Sequence, residues 1–307
     1  MSEVSPTHYP VLVGPTGVGK SEVALELAAL WGAEILSADA FQVYRGLPVG
    51  TAQASAEDRR KVPHHLVDGL DIGETWNAAE FARRASVLIN QSQAEGKKLV
   101  VVGGSGFYLK ALVEGVPEGE APALELRSWI AAQIAERGPE KSYQWLIERS
   151  PEAAKRIHPN DIYRIGRALE KSYGAPSVRP TPAFRPDQFK FYGLERSREK
   201  LDLRLRERTD KMWGQGLLEE ARFLRRSHLP DDHPVWGAIG YQEADAYLSQ
   251  KISEAEAKEK IFRRTRQYAK RQWTWFKHQH SVQWINLDER DNSADVAGFI
   301  LSDLIKD

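Results

Sequence analysis

The chain contains no cysteine. That excludes a disulfide framework, a thiolate nucleophile and cysteine-ligated zinc or iron–sulfur centres. Neither charge is in surplus, with 43 Lys and Arg against 43 Asp and Glu among 307 residues. Such a balance is unlike that of a generic nucleic-acid binder, whose surface is basic throughout. Long hydrophobic runs are missing too. The longest charge-free apolar stretch, residues 99–109, is broken by Gly103, Gly104 and Gly106 and falls far short of the ~20 residues a bilayer needs. The first residues carry Glu3 and no apolar h-region, so no secretory signal is visible. A soluble cytoplasmic protein without membrane association is expected, and nothing demands more than a monomer.

With 41% hydrophobic and 28% charged residues, the chain is neither disordered nor a coiled coil. Its length suits two domains, or one with an insertion, and buries roughly 75% of the unfolded surface. Residues 9–13 are a short apolar run ending at Gly14, the pattern of a buried parallel strand. Val23, Ala24, Leu27, Ala28 and Leu30 recur at helical spacing over 21–31. A second strand is predicted at 34–37, stopping before Asp39, then an amphipathic helix at 76–95 and a buried strand at 98–102. This alternation predicts an α/β fold built on a doubly wound parallel sheet.

The character changes after Gly115. A Pro/Gly/Glu-rich joint at 117–122 is followed by helical periodicity from 124 to 170 without strand signals. A second joint, 174–186, contains Pro176, Pro180, Pro182 and Pro186. Residues 189–194 return as a strand and the remainder reads as mostly helical. The expected organisation is a core of 1–115 and 189–307, with a helical C-terminal part, interrupted by a helical insertion at 116–188. No internal repeat or low-complexity tract is present.

Gly14, Pro15, Thr16, Gly17, Val18, Gly19, Lys20 and Ser21 fit the pattern G-x-x-x-x-G-K-[ST], with a strand before and a helix after. The glycines let backbone N–H groups turn inward as a nest, and the helix N-terminus adds partial positive charge. Lys20 neutralises the outer phosphate and Ser21 offers a hydroxyl to Mg²⁺. A di- or triphosphate ligand and a P-loop NTPase-like fold follow. The loop alone does not choose among an ATPase, a nucleotide kinase and a pyrophosphate-releasing transferase.

Asp39 lies just past the second strand, at the carboxyl edge where a parallel sheet places its ligands. A carboxylate there either holds Mg²⁺ through water, accepts a proton from a nucleophile, or merely caps a turn. Gly103, Gly104, Ser105, Gly106, Phe107 and Tyr108 follow another strand, as a plain turn or as a second backbone surface facing the ligand. His64 and His65, with Asp68, are too few for a metal site and read as surface or packing residues. Residues 263–277 hold six basic side chains and no acidic one, so the neutral total conceals a local basic patch. Trp273 and Phe276 of that run are expected to face inward, while some of its Arg and Lys side chains reach phosphates.

These motifs coincide in order, and the chain resembles the bacterial tRNA dimethylallyltransferases, also called isopentenyl-diphosphate:tRNA transferases. The likeness rests on residues 14–21, on Ser37, Asp39, Gln42, Tyr44 and Arg45, on Gly50, Thr51 and Ala52, and on 103–108. It continues through Pro159, Asn160 and Asp161, Arg164, Arg167, Glu170, Arg204, Arg208 and 216–220. Residues 239–243, 265–272, Trp275 and Phe276 complete it. The phosphate loop is generic, whereas the Asp39 segment and the Arg-Gln-Tyr-Ala-Lys-Arg-Gln run are specific to the family.

The resemblance implies transfer of a dimethylallyl group from dimethylallyl diphosphate to the exocyclic amine of the adenosine 3′ to the tRNA anticodon. It implies Asp39 as general base, Thr16 at the bridging oxygen, Lys20 and Ser21 with Mg²⁺ on the leaving group, and Arg204 or Arg208 adding positive charge. Contacts to the tRNA anticodon stem-loop are implied at Asp39, Ala40, Phe41 and Gln42, at Ser105, at Arg127, and at Tyr163, Arg164, Ile165, Gly166 and Arg167. Ala40 stands where the family usually has serine, Ser105 where it has threonine, and the 172–177 loop is shorter. The phosphate loop reads as an ATP site by motif, but its implied ligand is the prenyl diphosphate. A small-molecule kinase would leave the basic C-terminal helix unexplained. An RNA-binding NTPase switch would need a strand ending in Asp, where Val100–Val102 run into Gly103 and Gly104.

Overall fold

The computed structural model describes residues 8–116, 124–174, 182–230, 233–279, 281–290 and 292–306. Two compact units are formed, Met1–Gly115 with Pro182–Asp307, and Val116–Thr181. The strands are β1 (Tyr9–Val13), β2 (Ala33–Ser37), β3 (His64–His65), β4 (Lys98–Val102), β5 (Phe189–Glu195) and β6 (Val282–Asn286). The first helices are α1 (Lys20–Trp31), α2 (Ala56–Lys61), α3 (Ala78–Ala94) and α4 (Gly106–Glu114). The second unit holds α5 (Leu124–Arg149), α6 (Pro151–Ala154) and α7 (Ile162–Tyr173). The chain then adds α8 (Arg198–Gln215), α9 (Leu217–Arg226), α10 (Tyr241–Leu248), α11 (Glu254–Gln279) and α12 (Ser293–Leu304).

All six strands join one sheet in the order β3-β2-β4-β1-β5-β6, every pairing parallel. A strand covered on both faces must be apolar at consecutive positions, hence the unbroken runs at β1 and β4. Alternate side chains leave the sheet on opposite sides. Val11, Val13, Leu36, Leu99, Val101 and Phe191 pack with Phe81 of α3, Leu109 of α4 and Phe276 of α11. Leu12, Ile35, Val100, Val102, Tyr192 and Leu194 pack with Val23 and Leu27 of α1 and Val296 and Ile300 of α12. Helices therefore cover both faces, the doubly wound arrangement of a P-loop NTPase-like fold. The loops after β1, β2 and β4 leave the same carboxyl edge beside one another, where a parallel sheet leaves a crevice.

Three features depart from the sequence reading. β6 falls where the sequence reads as mostly helical: Val282 and Trp284 are half-buried on one face and Ile285 is buried on the other, so no clean alternation marks the strand. β3 is only two residues long, too short for a periodicity signal. The chain rejoins the first unit at Pro182, because Phe184 is buried there against Phe189. The 117–122 joint, Pro176 and Pro180 lie outside the described residues.

Within the second unit, Ile130, Ile134, Trp145, Leu146, Ile165 and Leu169 form a separate small core. Gly138, with φ +72°, breaks α5 ahead of Pro139, whose missing N–H suits the first turn of the following half. No described helix is long and apolar enough to cross a membrane.

A buried carboxylate ties the segment after Asp39 to the rest of the first unit. Glu220 of α9 accepts hydrogen bonds from the Val49 N–H at 2.6 Å, the Gly50 N–H at 2.8 Å and the Tyr241 hydroxyl at 2.8 Å. Burial raises its carboxyl above the ordinary range, against those two amide bonds and the phenol. Glu220→Ala would strand two buried amides and is expected to cost roughly 3 kcal/mol in urea unfolding. A loss below about 0.5 kcal/mol, ordinary for a surface change, would show that this tie carries no stability.

Candidate active site

The 14–21 loop turns sharply out of β1. Gly14 has φ +140°, and a Cβ there would lie 2.4 Å from the Leu194 carbonyl oxygen of the adjacent strand, so only glycine fits. Gly19 precedes α1 without a side-chain cap bond, which leaves first-turn N–H groups available to an anion. The Lys20 ammonium donates to the carbonyls of Gly14 and Pro15, both at 2.9 Å, and its third proton remains for another acceptor. Ser21, at the start of α1, is exposed.

Asp39 follows β2 and faces this loop. Its Oδ1 accepts from the N–H groups of Phe41 at 2.8 Å and Gln42 at 3.2 Å, while Oδ2 has no hydrogen-bond partner among the described residues. Burial raises the Asp39 carboxyl above its usual value, opposed by those two amides and by the charges of Lys20 and Arg208. Burial also lowers Lys20, to about 8, despite the pull of Asp39. Arg208 of α8 is likewise lowered by burial and raised by Asp39. Two cations thus share one confined space with one carboxylate. The surplus positive charge suits a multiply charged anion.

The two candidate arginines behave differently. Arg208 Nη1 lies 3.3 Å from Thr16 Oγ1 and interacts with Asp39. Arg204 donates to the Gly17 carbonyl at 2.8 Å and pairs with Glu22 at 2.7 Å, bracing the loop's outer side. Arg196, two residues before α8, donates to the Val18 carbonyl at 2.9 Å. Sequence reading gave Arg196 no role, since a single basic residue after a strand carries no pattern.

The loop after β4 closes the other side. Ser105 is half-buried beside Tyr268 of α11, whose pKa is pushed up to about 12 by burial and by Asp39. Tyr108 is raised for the same two reasons. The Trp76 indole donates to the Asp39 carbonyl at 3.3 Å, and Trp76, Phe81 and Tyr108 form an aromatic cluster behind that residue. Gln42 spans the segment: its Oε1 accepts from the Ser37 hydroxyl at 2.9 Å and its Nε2 donates to the Ala52 carbonyl at 3.1 Å. Ala40 and Phe41 are half-buried beside it. Gly14 to Ser21, Asp39 to Gln42, Ser105, Arg204 and Arg208 are therefore gathered at one sheet edge.

The remaining candidates belong to the second unit. Tyr163, Arg164 and Arg167 are exposed on α7, with Arg164 3.4 Å from Asp161 and Arg167 paired to Glu170. Arg127 Nε approaches Glu170 at 3.7 Å. Ile165 is fully buried in the small core, so its side chain cannot reach a macromolecular ligand; Gly166 is half-buried. Sequence spacing alone could not separate the inward member of a run from its neighbours.

Half of the basic run is paired with acidic side chains. Arg263 pairs with Glu259 at 2.7 Å, Arg264 with Glu243, and Arg266 with Asp202 at 3.1 Å. Lys270, Arg271 and Lys277 have no acidic partner among the described residues. Phe276 faces the core as expected, but Trp273 does not: it is 37% exposed, donates to Glu195 and carries Lys277 over its ring. Trp275 turns inward in its place, against the hydrophobic core. His64 and His65 sit on the edge strand, where His65 Nε2 lies 2.6 Å from Glu34 and His64 Nδ1 contacts the Val62 carbonyl.

Comparison with known proteins finds relatives along almost the whole chain. The family model described as IPP transferase matches residues 42–279. A tRNA dimethylallyltransferase of Geobacter metallireducens is 39% identical, covering 97% of this chain and 99% of that protein. One from Acaryochloris marina is 40% identical, over 92% and 93%. Among solved structures, the tRNA isopentenylpyrophosphate transferase of Bacillus halodurans is 33% identical, covering 98% of this chain and 97% of that one, with a TM-score of 0.70. A eukaryotic dimethylallyltransferase acting on tRNA is 27% identical, covering 97% and 79%, with a TM-score of 0.78. With the family model matching residues 42–279 and relatives near 40% identity over almost the whole length, the chain belongs to the IPP transferase family, that of the tRNA dimethylallyltransferases.

Proposed function

We propose that the protein is a cytoplasmic tRNA dimethylallyltransferase. It moves the dimethylallyl group from dimethylallyl diphosphate to the exocyclic amine of the adenosine 3′ to the anticodon, and it works as a monomer. The observation that carries this reading is the uncommitted Oδ2 of Asp39 beside Lys20 and Arg208 at the mouth of the 14–21 loop. The carbon–oxygen bond of the donor breaks as the carbon–nitrogen bond forms. Charge then grows on the departing diphosphate, where the loop amides, Lys20, Arg208 and the Thr16 hydroxyl stabilise it. Positive charge grows on the amine, and its proton passes to Asp39 Oδ2. Arg208 is the arginine that faces the donor; Arg204 holds the loop in shape. A purine turned out of a single-stranded loop reaches such a pocket at modest cost.

Asp39, Ala40, Phe41, Gln42 and Ser105 line the acceptor's entry. Arg127, Tyr163, Arg164 and Arg167 supply tRNA contacts from the second unit. Magnesium fits the donor set in one way. No group of three or more His, Asp or Glu poised for a metal is found among the described residues, and the exposed Ser21 hydroxyl is the ligand the loop offers. One hydroxyl suits an ion that arrives on the diphosphate and keeps most of its water. Held by Ser21, that ion would add positive charge at the leaving group.

The test offers purified protein both dimethylallyl diphosphate and ATP, with tRNA carrying adenosine 3′ to its anticodon. Mass analysis is expected to find the nucleoside heavier by one dimethylallyl group and ATP untouched. Unmodified tRNA with phosphoryl transfer from ATP would replace this reading with a kinase.

A further inference from the structure

The side chain that joins the two halves of the site carries no charge and takes no part in the chemistry above. Gln272 of α11 is buried, with 6% exposure. Its Oε1 accepts from the Thr16 N–H at 2.8 Å, and its Nε2 donates to the Gly104 carbonyl at 3.0 Å. These partners lie 256 and 168 residues away in sequence. Gly104 admits the amide only because it lacks a side chain: a Cβ there would stand 2.1 Å from Gln272 Nε2. Tyr268, one turn earlier on the same helix, lies beside this amide and feels the charge of Asp39.

The Thr16 N–H is consequently turned away from the anion nest and fixed to a different helix. That fixes the rest of Thr16, whose hydroxyl is met by Arg208 at 3.3 Å. An amide is the one common side chain of this length that accepts and donates at once while staying neutral in a buried space. A carboxylate there would face the Gly104 carbonyl with no proton to give, and an aliphatic chain would leave both backbone groups unpaired.

We propose that Gln272 is a positioning residue for the transfer step, holding the Thr16 hydroxyl and Arg208 against the oxygen at which the donor breaks. This rests on Thr16 meeting the donor's bridging oxygen. The same helix carries Lys270 and Arg271, which lack acidic partners among the described residues, so RNA engaged there lies two residues or fewer from the clamp. Gln272 thereby acts on the rate of transfer more than on capture of either substrate, since a shift of about 1 Å in a reacting group costs about 10²-fold.

The test is a cycle of Thr16→Ala, Gln272→Leu and the double variant in the prenylation assay, with thermal unfolding followed alongside. Gln272→Leu is expected to lower kcat by about 100-fold while KM for the donor changes less than about threefold. A residue acting through Thr16 adds nothing once Thr16 is truncated, so the double variant is expected to match Thr16→Ala. Losses that multiply, with Thr16→Ala itself slow, would overturn the positioning role and leave the proposed reaction standing. Thr16→Ala at the wild-type rate would remove Thr16 from the donor site, and the proposal with it. Gln272→Glu covers a leucine variant that fails to fold. A protonated carboxyl both donates and accepts, so its kcat relative to wild type is expected to climb as pH falls. A ratio that stays flat with pH would contradict the two-sided bond.

Discussion

Asp39→Asn is expected to lower kcat by about 10²- to 10⁴-fold, the span over which a positioned proton acceptor contributes, with KM for tRNA nearly unchanged. Asparagine keeps an oxygen for the Phe41 and Gln42 amides that Oδ1 now accepts, so the turn after β2 survives. What is lost is the basic oxygen and the negative charge. The pH profile separates these roles from mere shape. Burial places the wild-type carboxyl above the ordinary carboxylate value, and the active form is the ionised one. Activity therefore declines on acidification while the pH is still above the usual carboxylate range. The Asn variant has no such group to protonate, so its small residual rate is expected to lack that acid limb. A variant within about threefold of wild type across the pH range would show that the amine loses its proton elsewhere, because acid–base assistance is worth far more than that.

How much of this was legible beforehand depends on whether a feature is written locally. β1 and β4 carry continuous apolar runs because both their faces are covered, and a contiguous signal survives reading one residue at a time. The 14–21 loop is legible for the same reason, since its glycines, Lys20 and Ser21 all act within one turn. Asp39 is visible only as a carboxylate at a strand end; that it shares a confined space with Lys20 and Arg208 is a fact of the sheet order. Gln272 is the extreme case. Its two partners come from loops that only a parallel sheet sets side by side, and an uncharged amide in a basic helix has no pattern of its own. Glu220 is hidden likewise, its charge resembling any acidic helix position until Val49 and Gly50 are seen to point at it. Trp273 and Trp275 exchanged places because two residues' separation on a helix turns a side chain by more than half a revolution, and composition does not say which comes inward.

Lys20→Met separates folding from function most cleanly. Methionine keeps the length of the side chain and discards the charge, and kcat/KM for the donor is expected to fall by about 10²- to 10³-fold, the usual result of removing one preorganised donor from a developing anion. Stability is expected to hold or rise. In the free protein burial penalises the ammonium and pushes its pKa down from the ordinary 10.5 to about 8. Between those two values the unfolded chain keeps a proton that the folded chain releases, so the drag from Lys20 lessens as pH climbs through that window. The Met variant has no proton there to release, and its stability curve should be flatter over the same range. Catalysis runs the opposite way. Above about 8 the wild-type amine becomes neutral and offers the diphosphate no charge, so donor binding must take up a proton and weakens as pH rises. The variant, weak throughout, should lose that alkaline decline. Loss of the cation also raises the Asp39 carboxyl further, since Lys20 is among the charges that lower it, and the acid limb is expected to move to higher pH. Equal activity with and without the ammonium, measured on a folded variant, would mean that the loop does not grip the leaving group.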